Sequence, residues 1–194
     1  MRLNVWRVIA FFLLIALSVG FGFAFDAVAT AIERGQHPRP AHLATSVAEN
    51  AEAYGIPETV LWAVMKTESR FVGDKVSDDG AIGLMQLTAA QFNFISTQLL
   101  EEVDANASML YAPDFNLRAG SAYISYLYSR YGVWDHVFAA YRAGTDTVDA
   151  WLAQPDLVSE QGVLTDIPDK PVAEYVENVK KAVESYTKLY YQAT

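Results

Sequence analysis

The chain has 194 residues, 52% of them hydrophobic and 19% charged, a balance that excludes disorder of the whole chain and suits one folded domain. It has no cysteine, which excludes disulfides, thiol nucleophiles, thiolate metal sites and a lipid-modified cysteine. Fourteen Lys+Arg against 23 Asp+Glu give a net charge of −9, the wrong sign for a nucleic-acid partner. The histidines His37, His42 and His136 are scattered, so no metal or other cofactor is expected, and His136 is read as a helix-surface residue.

From Val8 to Phe25 no residue is charged. Eighteen residues in a helix reach about 27 Å, close to the hydrocarbon thickness of a bilayer. Arg2 and Arg7 precede the run and Asp26 follows it, which predicts a cytoplasmic N-terminus and an extracytoplasmic remainder. Residues 1–26 thus read as a signal-anchor or transmembrane segment. A cleaved signal peptide stays open as the alternative, because Ala29, Thr30 and Ala31 offer a cleavage site; cleavage would leave a secreted protein. The run is longer than the ~7–15 apolar residues of a signal peptide, which favours the anchor. Residues 27–40 read as a linker closed by Pro38 and Pro40, and residues 41–194 as the working domain. From residue 32 onward 12 basic and 22 acidic residues give −10.

The spacing predicts helices over 41–54, stopped by Gly55, and then from Pro57, with Val60, Leu61, Val64 and Met65 on one face. Residues 72–83, with Gly73, Gly80, Gly83 and four polar turn formers, suit a small β-hairpin or tight loop. Thr88 and Gln91 have capping-box spacing for a third helix. A loop over 102–114 precedes a helix from Asn116 to Tyr131, closed by Gly132. Shorter helices follow near 134–143 and 146–153, then a loop over 154–171 containing three prolines. The last helix, near 172–191, carries Val172, Val176, Val179, Val183, Tyr186 and Tyr190 on one stripe. The fold class is α+β, mostly α, with one small β-hairpin, preceded by an N-terminal transmembrane helix.

Glu68 is the residue out of place. Val60, Val64 and Glu68 are spaced i, i+4, i+8, so a carboxylate extends an apolar stripe at the end of its helix. Low dielectric and the negative helix terminus both disfavour its ionised form, which predicts a raised pKa and suits a general acid. A Glu68 that is solvated, or paired with Arg70 or Lys66, remains open on periodicity alone.

The residues around it resemble a known family. Glu68-Ser69-Arg70-Phe71, Ser77 nine residues after the Glu, and Gly80-Ala81-Ile82-Gly83-Leu84-Met85-Gln86-Leu87 are similar to the first signature of the lytic transglycosylases with a soluble-lytic-transglycosylase (SLT), lysozyme-like domain. Pro113-Asp114-Phe115-Asn116-Leu117 with Gly120 and Tyr123 resembles a second block. Ala139-Ala140-Tyr141-Arg142-Ala143-Gly144 with Val148 and Trp151 resembles a third, and Ile167-Pro168 with Tyr175-Val176-Glu177-Asn178-Val179 a fourth. The blocks occur in order over residues 41–191. Four positions depart from the pattern: Arg142 stands for its Asn, Pro171 and Val172 for its Glu-Thr, and Ala89 for a Pro.

The resemblance implies a lysozyme-like domain acting on peptidoglycan strands, whose β-1,4 bond from N-acetylmuramic acid to N-acetylglucosamine is cleaved to a 1,6-anhydro product. Glu68 would be the catalytic residue, acid and then base, and Ser77, Met85, Gln86, Tyr141 and Tyr175 the substrate-binding residues. Met85 would pack at the cleft wall, and Tyr141 would hydrogen-bond the Glu68 region. Goose-type lysozymes, hydrolytic relatives, carry candidate water-activating aspartates at positions that here are Ser77 and Thr88, which favours the transglycosylase. Asp74, Asp78 and Asp79 read as solvated turn residues. Alternatives are such a hydrolase and a peptidoglycan-binding module weakened at Arg142 and Pro171. Protein partners are unknown from sequence.

Overall fold

The computed structural model describes residues 5–102 and 104–191. The chain divides into two compact units, one ending at Pro38 and one running from Arg39. The first is a helix, α1 (Val5–Gln36), with 32 residues. Its stretch Phe11–Gln36 is long and apolar enough to cross a membrane, and Phe11, Phe12, Leu14, Leu17, Phe21, Phe23 and Phe25 are all exposed. Residues 27–36, read from sequence as linker, continue this helix: Ala27, Ala29 and Ala31 are strong helix formers, and the helix stops just before Pro38.

The second unit is almost wholly helical. A 3-10 turn (Ala41–Leu43) leads into α2 (Ala44–Tyr54), closed by Gly55 at φ 64°, where a side chain would be strained. Pro57 is the residue before the first turn of α3 (Glu58–Glu68) rather than within it. Every residue of α3 from Thr59 to Met65 is buried, so α3 is the central rod of the core. It packs on α2 and on α8 (Lys170–Tyr186), the long amphipathic helix.

Between them lie α4 (Ala89–Phe94), α5 (Pro113–Tyr131), α6 (Trp134–Ala143) and α7 (Thr145–Leu152). The Thr88–Gln91 capping box is formed in both directions. Pro113 opens α5 three residues earlier than the spacing suggested, where its missing N–H is not needed. The expected β-hairpin reduces to isolated antiparallel bridges, Val76 with Ile82 and Ile82 with Leu87. The segment spends its backbone groups on turns, Gly80 N–H to Ser77 O and Gln86 N–H to Gly83 O, which leaves no length for paired strands.

The beginning and end of this unit are fastened together. The Arg39 guanidinium lies 5.3 Å from the Trp62 ring centroid, 5.1 Å from that of Tyr190 and 5.0 Å from that of Tyr191. It also faces Glu58 Oε2 at 3.4 Å, and the Tyr191 hydroxyl donates to that same oxygen.

Candidate active site

Glu68 is the last residue of α3, half-buried where the helix ends. The chain leaves through a tight turn in which the Phe71 N–H donates to Ser69 Oγ at 3.1 Å and the Val72 N–H to Ser69 O at 3.2 Å. Arg70 and Phe71 take φ of 53° and 66°, left-handed values that non-glycine residues adopt at a cost, and Phe71 is held edge-on to Trp62 at 6.0 Å. The turn lets Lys75 come back and donate its ammonium to the Glu68 carbonyl oxygen.

Facing this helix end is the segment Gly83–Leu87, fixed from behind. Asn116, fully buried on α5, accepts from the Met85 N–H at 2.7 Å and donates to Ile82 O at 2.8 Å and Leu110 O at 2.9 Å. The Tyr141 hydroxyl donates to Met85 O at 2.7 Å. Close approach requires two glycines. A Cβ on Gly83 would strike the Asn116 amide and lie 2.7 Å from Leu110 O, and one on Gly120 would lie 2.7 Å from Met85 Cγ. Gln86, at φ 49°, then donates from Nε2 to Gly83 O at 2.9 Å and Lys75 O at 3.1 Å, closing the loop on itself.

The result is a cleft of about 390 Å³ whose walls include Glu68, Lys75, Ser77, Asp79, Gln86 and Arg142. Pro171, Glu174, Tyr175 and Asn178 contribute its α8 side. Burial pushes the Glu68 carboxyl above the ordinary carboxylate range; nearby Tyr175, Arg142 and Lys75 pull less strongly the other way, and Asp79 adds to the rise. The Tyr175 hydroxyl is buried beside Glu68 without completing a hydrogen bond, so it acts on that carboxyl as a close dipole. Burial first, and then the charge of Glu68, raise the Tyr175 and Tyr141 phenols well above their usual value, which keeps both as proton donors. Asp79 is lowered, chiefly by the Ser77 hydroxyl that donates to it.

Of the six residues expected at a site, Glu68, Ser77, Gln86 and Tyr175 line this cleft. Met85 and Tyr141 do not. Met85 is fully buried against Gly120, and the Tyr141 hydroxyl is spent on the Met85 carbonyl, so both support the wall from within. Asp79 lines the cleft, whereas Asp74 and Asp78 are exposed outside it. His136 corrects its expected place: it is 3% exposed, and its Nε2 accepts from the Leu164 N–H at 3.0 Å. Sequence reasoning missed Glu174 and Asn178. They share one face of α8 with Pro171 and Tyr175 at i, i+3, i+4, i+7, a second stripe beside the apolar one.

The transglycosylase SLT domain family matches residues 45–161, more than half of the chain. The chain belongs to that family. The match includes Glu68 and the Gly83–Leu87 segment and stops before α8, so the Tyr175 side of the cleft lies beyond it. Membrane-bound lytic murein transglycosylase C of Yersinia enterocolitica is 38% identical over 88 residues, 44% of this chain and 24% of that protein. The Yersinia pestis protein of the same name is 36% identical over the same shares. The chain thus spans about a quarter of the length of these curated relatives. Among solved structures, lytic transglycosylase Slt of Pseudomonas aeruginosa, in an inactive mutant form, superposes with a TM-score of 0.68 at 28% identity, covering 79% of this chain and 25% of that one. The 70 kDa soluble lytic transglycosylase of Escherichia coli gives 0.74 at 22% identity over 82% and 26%, a likeness of fold. The expected SLT, lysozyme-like, mostly helical architecture is therefore the observed one.

Proposed function

We propose that this chain is a peptidoglycan lytic transglycosylase held at a membrane by α1, with its N-terminus cytoplasmic and its SLT domain on the outer side. The observation that carries the proposal is one carboxyl, Glu68, held above the usual carboxylate range in a cleft of the SLT fold. The names of the relatives, membrane-bound lytic murein transglycosylase, agree with it.

The Glu68 carboxylic acid gives its proton to the glycosidic oxygen as the bond from that oxygen to C1 of N-acetylmuramic acid breaks, through an oxocarbenium-like state. The Glu68 carboxylate then takes the proton of the muramoyl 6-hydroxyl while O6 closes on C1. The products are a free 4-hydroxyl and a 1,6-anhydro end, no water is consumed, and Glu68 is protonated again. The Tyr175 phenol, a donor beside the carboxyl, fits the moment when Glu68 is ionised. Ser77 and Gln86 fit as polar cleft residues toward the substrate.

A hydrolase reading has one observation in its favour, the presence of Asp79 in the cleft. Its carboxyl is lowered and already accepts a hydrogen bond from the Ser77 hydroxyl, which makes it a weak base for activating water. Mass spectrometry of products from sacculi incubated with the full chain in detergent separates the readings. Anhydro ends lost in Glu68→Gln support the transglycosylase. Reducing ends mark a hydrolase, and strand binding without release marks a binding module.

A further inference from the structure

Two cations line the cleft: Lys75 is held by the Glu68 carbonyl, and Arg142, among the described residues, has no hydrogen-bond partner. Arg142 is the next-to-last residue of α6, on backbone fixed by Tyr141, whose hydroxyl holds Met85 O and whose own carbonyl accepts from Gln91 Nε2 at 3.2 Å. Its side chain is exposed at the cleft, and its guanidinium lies 6.0 Å from the Tyr175 ring centroid. The charged groups around it are otherwise engaged. Lys75 is on the Glu68 carbonyl, Asp79 on the Ser77 hydroxyl, and Glu174 faces Lys170 at 3.8 Å. Among the described residues Arg142 makes no ion pair and no hydrogen bond. Its field nonetheless reaches Glu68, Asp79 and Tyr175.

An unpaired guanidinium presents a planar fork that matches a carboxylate, and the Tyr175 ring lies at the outer edge of cation–π reach from it. The substrate of the proposed reaction carries such a group at the right sugar. N-acetylmuramic acid bears a lactyl ether whose carboxyl is either free or joined to a stem peptide with carboxylates of its own. We propose that Arg142 recognises a carboxylate borne by the muramoyl residue at the scissile bond, and so selects strands by charge beside Glu68. This rests on the peptidoglycan reading above.

The test compares the full chain in detergent with Arg142→Ala and Arg142→Lys on three strand preparations. One keeps its stem peptides, one has them removed so that lactyl carboxylates are free, and one has all carboxyls capped as methylamides. On the carboxylate-bearing strands Arg142→Ala raises KM by about tenfold, the low end for a charge-assisted hydrogen bond, beyond any change in kcat that loss of its field at Glu68 brings, and Arg142→Lys recovers part of the loss in KM. On the capped strands wild type and Arg142→Ala have the same KM. Loss confined to the peptide-bearing strands names the stem as the source of the carboxylate, and loss confined to the stripped strands names the lactyl group. Equal loss on all three, or none on any, overturns the proposal. Binding of the same strands to Glu68→Gln and to Glu68→Gln with Arg142→Ala reads the charge preference without turnover. A chain that binds by charge but yields no anhydro product refutes the transglycosylase while keeping the role of Arg142.

Discussion

Burial holds the Glu68 carboxyl protonated to a higher pH than in the unfolded chain, so the folded state binds that proton more tightly. The folded state therefore bears a cost that is absent below the unfolded value of roughly 4.3 and grows as pH rises through the folded value. Glu68→Gln is expected to melt at a higher temperature than wild type at pH 7, with the difference vanishing below about pH 4. Calorimetry across that range checks it. The same substitution should lower kcat by about 10²–10⁴, and the acidic limb of the wild-type rate profile should lie above roughly 4.3. His136 has the opposite sign. Burial lowers it, so its contribution is present above about 6.5 and is lost as pH falls through the folded value. His136→Leu should cost about 1–3 kcal/mol in urea unfolding at pH 7.5, because the Leu164 N–H loses its acceptor. Glu68 was legible because a carboxylate interrupts an apolar period. His136 was not, because its partner is a backbone amide 28 residues away that no local pattern announces.

At the scale of the element, the Gly83–Leu87 segment owes its shape to a neighbour. One buried amide on α5 holds it by the Met85 N–H, holds Ile82 O just before it and ties both to Leu110 O, and Asn116→Ala breaks all three hydrogen bonds. The expected loss is about 3 kcal/mol, measured by urea unfolding, with kcat falling in whatever fraction stays folded. Gly120→Ala should cost about 1–3 kcal/mol by pressing on Met85, also without touching substrate. The helices were readable from caps and periods. Gly55, the Thr88–Gln91 box and Gly132 stand where those signals put them. The small β element was not, since composition marks turns but cannot say whether the strands between them reach two residues or vanish into single bridges. Nor could it say that Met85 and Tyr141 face inward, because that choice is made by Gly120 and the Met85 carbonyl, both distant in sequence.

For the molecule as a whole, the helix Phe11–Gln36 sets the expected behaviour on fractionation. Twelve of its residues, from Phe11 to Ile32, are large exposed apolar side chains, a surface suited to hydrocarbon rather than water. The protein should sediment with membranes, resist a high-salt or alkaline wash and come off in detergent. Leu14→Arg with Leu17→Arg, each costing about 2.5–3.5 kcal/mol at the centre of a span, should move it to the soluble fraction. The charge-free run was plain in the sequence. Its helical continuation through Gln36 was not, because a favourable helix propensity over ten residues is a weaker signal than the absence of charge.

The aromatic grip of Trp62, Tyr190 and Tyr191 on Arg39 brings entry and exit of the folded unit to one spot. A module whose two termini emerge side by side can be spliced onto other sequences at either end, or re-ordered by joining them and opening a surface loop, without unpicking its interior. The same architecture recurs as roughly a quarter of each of the far longer polypeptides it superposes on.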